Sequence, residues 1–214
     1  ERIGGARGAL LAARGIGNSS VPGPASILSK LYWSVSMPRL VYGLDVKPIA
    51  ETALQDLEAA HRQNAKIVQN LQQNTVNPAP LATLGWISVE SHLAIMKICF
   101  LLRIMCLTGD HIYKRVAMYV LSSITNSDNN VCKKSSPIAS MYAAAKKYNM
   151  EKIIMLFMTC DNANELYVHF KTKVKQIIWK RKNIRDGKPH VYYIGNCQFI
   201  WTLLIALILI HGGN

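Results

Sequence analysis

A chain of 214 residues, half of them hydrophobic, is long enough to bury one core or two small ones, which excludes disorder throughout. Its 25 Lys and Arg against 12 Asp and Glu leave a net charge of +13, the electrostatic footprint of a partner to phosphates or to anionic lipid. The five cysteines, at 99, 106, 132, 160 and 197, form no Cys-x-x-Cys pair and have no His at ligand spacing, so they signal neither a zinc site nor a disulfide framework and fit a reducing compartment.

In chain order, Arg2 to Arg14 sets Ile3, Ala6, Ala9, Leu10 and Ala13 on one helical face. Gly4, Gly5 and Gly8 each cost that helix up to about 1 kcal/mol relative to Ala, so it needs tertiary support. GIGNSSVPGP, residues 15–24, is a connector. Leu31 to Asp45, LYWSVSMPRLVYGLD, packs aromatic, aliphatic and helix-punctuating residues most densely. Its Leu31, Tyr32, Val35, Leu40, Val41 and Leu44 predict a buried helix, Pro38 predicts a kink or break near Met37, and Gly43 permits a sharp exit.

Glu51 to Gln72 predicts an amphipathic helix whose seam runs through Leu54, Leu57, His61, Asn64, Val68 and Leu71, with acidic residues biased to its N-terminal half. Arg62 and Lys66, one turn apart, could both meet a phosphate backbone, while His61 on the seam reads as a core histidine. NTVNPAP, residues 74–80, is a breaker. Ser88 to Leu107 is apolar around most of its circumference, through Leu93, Met96, Phe100, Leu101, Ile104 and Met105, and is expected at the centre of a bundle. Asp110 to Ile124 predicts another helix, closed by the polar SITNSDNN.

Pro137 to Tyr148, Glu151 to Cys160 and Asn164 to Lys182 predict three more helices. In the last, Tyr167, Phe170, Val174, Ile177 and Ile178 make the apolar stripe while Lys171, Lys173, Lys175, Lys180, Arg181 and Lys182 supply charge. Between Lys133 and Lys188 there are 13 Lys and Arg against 4 Asp and Glu, so +9 of the total +13 lies in this quarter of the chain. A merely solvated face mixes signs to limit self-repulsion, and these six side chains are therefore candidate phosphate contacts. Phe199 to Ile210, FIWTLLIALILI, is shorter than the roughly 20 residues a bilayer needs. Extended back to Tyr192 it becomes a marginal span with a basic helix before it, so a membrane anchor, a buried helix and a non-native extension all stay open.

The order of Leu31, Tyr32, Val35, Pro38, Leu40, Tyr42 and Gly43, then Leu57, Glu58 and Arg62, then Leu84 and Gly85, resembles the segment after the palm in LINE-type (non-LTR) retrotransposon reverse transcriptases, the polymerase thumb. The resemblance implies a helix joining palm to thumb with its connector over 1–22, a thumb-like helical bundle over 23–124 and a helical region beyond the thumb over 125–188, basic by its charge count; the apolar tail over 189–214 is read from composition. The resemblance also implies a partner, an RNA or RNA/DNA duplex, and an upstream palm in a longer polyprotein. The expected fold is all-α. Catalysis is not expected of this chain alone: Tyr42-Gly43-Leu44-Asp45 lacks the second acid of a Tyr-X-Asp-Asp motif, and no carboxylate pair stands ready to hold two divalent ions. No metal or other cofactor is implied. Without a charged n-region ahead of an apolar h-region no signal peptide is expected, so the setting is intracellular, nucleus or cytoplasm, with a membrane reached through residues 192–210 as the alternative.

Overall fold

The helical periodicity of the apolar segments up to Arg185 finds its counterpart in the computed structural model, which describes residues 2–15, 24–126, 136–159 and 163–185. Among these residues there are ten α-helices, one π-helical turn and no strand; the fold is all-α. The chain divides into two compact units. Residues of the expected 23–124 bundle fall in both. The run Phe199–Ile210 lies outside the described residues, as does most of the polar segment 125–136. Among the described residues no helix is long and apolar enough to cross a membrane.

Unit 1 holds α1 (Arg2–Gly15), α2 (Ala25–Leu31), the π turn Tyr32–Ser36, α3 (Met37–Val41), α4 (Glu51–Val68) and α5 (Pro78–Leu84). α1 buries Ala6 and Leu10 against α2, the π turn and α3, the tertiary support its glycines require. Of the kink or break expected near Met37, the break does not occur; the helix is instead perturbed there by the π turn. Met37 keeps right-handed helical geometry, φ −63° and ψ −44°, and its N–H reaches back five residues to the Tyr32 carbonyl. Widening the helix by one residue just before Pro38 accommodates a residue that lacks a donor, so helix runs from Ala25 to Val41 without a gap. Gly43, at φ +68°, then turns the chain out of the helix as expected.

The core of unit 1 is aromatic and polar together. Tyr32 stacks on Trp86 with ring centroids 4.3 Å apart, and Trp33 meets Tyr32, His61 and Trp86 edge-on. His61 is fully buried between the Tyr32 hydroxyl at 2.6 Å from Nδ1 and the Ile87 carbonyl at 2.9 Å from Nε2. A carbonyl can only accept, so Nε2 carries the proton, and in the neutral ring Nδ1 accepts from the tyrosine. Burial pushes the Tyr32 phenol well above its ordinary range, although a hydrogen bond with Asn64 opposes this, so the hydroxyl stays a donor. The Trp86 indole donates to the Ser29 hydroxyl at 2.9 Å.

Unit 2 is organised around α6 (Val89–Met105), against which α7 (Ile112–Asn126), α8 (Pro137–Lys147), α9 (Glu151–Thr159) and α10 (Ala163–Arg185) all pack. Ile98, Leu101, Leu102 and Met105 of α6 are fully buried, with Leu121, Met141, Phe157, Val174 and Ile178 from the surrounding helices. The central position expected of this helix is the one it takes. Met96 and Ile104 are half-buried, and Phe100 faces solvent. Helices in both units end on a left-handed residue, Asn70, Gly85 or Asn149, and the next N–H returns to the last turn: Leu71 to Lys66, Trp86 to Leu81 and Met150 to Ala145, each at 2.9 Å.

Candidate nucleic-acid interface

α10 is the most cationic helix described, and its shape decides which charges face water. At about 100° per residue, Val174 and Ile178 fall on one side and are fully buried, with Tyr167 and Phe170 half-buried beside them. The cations do not form a single row. Lys171 and Lys175 lie on the edge of the buried stripe and are half-buried, whereas Lys173 and Lys180, seven residues apart and so nearly in line, are exposed on the opposite flank. The Lys173 ammonium lies 5.3 Å from the Phe170 ring centroid, and Lys171 lies 5.9 Å from that of Tyr167. These aromatic contacts hold both ammonium groups close to the helix. Phe170 in turn meets Phe157 of α9 edge-on.

The inner flank makes the seam with α6 electropositive. Burial lowers the Lys171 pKa, opposed by Cys99 and reinforced by Arg103. Burial pushes the Cys99 thiol up to about 11 even though Lys175 and Lys171 pull it down. His92 falls to about 4, first through burial and then through Lys175. Lys171 is partly dehydrated with Arg103 nearby, and Lys171 and Lys175 are both half-buried, so this flank is poorly placed for a large polyanion. Lys173 and Lys180 on the outer flank are open to water.

The remaining candidates sit elsewhere. Arg62 is half-buried on α4. Lys66, one turn on, is buried, and its ammonium donates to the Gln73 carbonyl at 2.6 Å and to the Asn77 side-chain oxygen at 3.2 Å. It braces the loop after α4 instead of presenting charge to a phosphate beside Arg62. Periodicity gives no warning of this, because Lys66 is off the Leu57–His61–Val68 seam and is covered by the loop that returns over it. Arg181 and Lys182 belong to α10, with side chains outside the described set. Among the described residues, no group of three His, Cys, Asp or Glu could hold a metal ion.

No protein-family model, curated protein or solved structure matches the chain. The functional reading therefore rests on the charge and geometry of these helices.

Proposed function

We propose that the chain is a nucleic-acid-binding module that grips an RNA or RNA/DNA duplex through its phosphates, as the resemblance to LINE-type reverse transcriptase thumbs implies, while the chemistry of nucleotide addition belongs to a palm elsewhere in a longer protein. The observation that carries the proposal is the outward flank of α10, where Lys173 and Lys180 stand exposed in the segment that holds most of the chain's excess positive charge. Ammonium groups on long stems meet phosphates as point charges and read no base edges, so binding is indifferent to sequence. Phosphate contacts also release counterions, which makes affinity fall steeply with salt.

Fluorescence anisotropy with two labelled RNA/DNA duplexes of unrelated sequence and equal length tests the proposal. Equal affinities that weaken together as NaCl rises are expected, with no primer extension by the clean protein in magnesium. Failure to bind either duplex, coupled with binding to phosphatidylserine vesicles, would replace nucleic acid with a membrane surface as the partner.

A further inference from the structure

The apolar stripe of α7 points the wrong way for a core helix. Ala117 and Leu121 are fully buried, but Ile112, Val116 and Tyr119, which recur at spacings of four and three, are 62%, 51% and 74% exposed. Tyr113, 66% exposed, stands on the other flank of the stripe from Tyr119, about 9 Å away along the helix axis. Arg115 is exposed one turn before Tyr119, and the helix contains Lys114 and Arg115 with no Asp or Glu. Two rings thus bracket a strip of aliphatic surface, with the Arg115 cation alongside and no anion on the same helix.

A second copy of this chain would bring the same positive field against itself, which opposes self-association. An unpaired nucleic-acid strand matches both features, because its bases offer apolar π-faces and its backbone offers negative charge. We infer that α7 is a stacking platform for single-stranded nucleic acid: bases stack on Tyr113 and Tyr119 across Ile112 and Val116, and Arg115 meets the adjoining phosphate. This inference rests on the nucleic-acid reading above and adds to it a second ligand class, an unpaired strand. Stacking tolerates any base, so the platform has little sequence preference.

The test uses the full chain and three labelled ligands of equal length: oligouridine, an abasic strand of the same charge, and a duplex. The parent should bind oligouridine at least about fivefold more tightly than the abasic strand, the smallest gain expected of one stacked base. Tyr113→Ala and Tyr119→Ala should each weaken oligouridine binding by a similar factor or more and leave the abasic strand and the duplex within about twofold. Tyr113→Phe and Tyr119→Phe, which keep the ring, should bind as the parent does. Equal parental affinity for oligouridine and the abasic strand would overturn the platform whether or not the variants fold, and so would alanine variants that bind oligouridine normally. Duplex binding that persists in that case leaves the α10 interface standing. A parent that binds none of the three ligands overturns both.

Discussion

Unit 1 and unit 2 bury their helices by different means. Unit 1 runs polar atoms through its core, from the Tyr32 hydroxyl to His61 and on to the Ile87 carbonyl, between stacked aromatic rings. Unit 2 surrounds one apolar helix, α6, with four others, of which α10 is the most cationic. A hydrogen-bonded core is exacting, since each buried polar atom left unmatched costs more than the bond itself contributed. An apolar core is more tolerant and responds chiefly to lost volume. The contrast also separates the charged surface from the elements that demand the tightest geometry.

The largest expected effect breaks unit 2. Leu101→Ala should cost about 2–5 kcal/mol through lost burial and the cavity left behind, read from urea unfolding. Tyr32→Phe in unit 1 removes a single oxygen yet leaves His61 Nδ1 without its phenol donor, and should cost about 1–3 kcal/mol. A loss under about 0.5 kcal/mol for Tyr32→Phe would mean that the polar core is not the exacting one.

Acid should distinguish the units next. His92 in unit 2 is held near 4, whereas an unfolded histidine titrates near 6.5, so between these values the unfolded state binds the extra proton. The resulting contribution, at most about 3 kcal/mol, is complete above pH 6.5 and is lost as pH falls toward 4. His92→Gln should flatten the stability profile over that window. An unchanged profile would assign acid sensitivity to other groups.

What the sequence made legible follows the same division. The period of α6 and the stripe of α10 are local patterns, and both helices bury residues that the pattern picks out. The π turn is not local in that sense: Pro38 signals a perturbation, but whether the helix breaks or widens depends on the packing of Tyr32 and Met37. Lys66 is likewise beyond periodicity, because it is buried by a loop that returns to it seven and eleven residues later. Within α10, Lys171 and Lys175 fall on one flank and Lys173 and Lys180 on the other once Val174 and Ile178 are fixed against the core. On α7 the helix was readable, but the exposure of its apolar stripe was not, since which face meets the core is a property of the partners.

The smallest expected effects come from the helix ends. Gly85→Ala in unit 1 places a Cβ at φ +64° and should cost about 1 kcal/mol, whereas Asn149→Gly in unit 2, at φ +53°, relieves a strained residue and should be neutral or stabilising by a few tenths of a kcal/mol. Thermal melts of the two variants should therefore move differently. Equal destabilisation would show that the side chain of Asn149 does more than tolerate its left-handed backbone.

The central claim, that the outward flank of α10 meets phosphates, is tested most directly by the salt dependence of duplex binding. With about four phosphate contacts the slope of log affinity against log salt should be about −3.6. Lys173→Ala with Lys180→Ala should make it shallower by about 1.8, while Lys171→Ala with Lys175→Ala, on the half-buried flank, should change it by less than about 0.9. An unchanged slope in the Lys173 and Lys180 double variant would contradict the account.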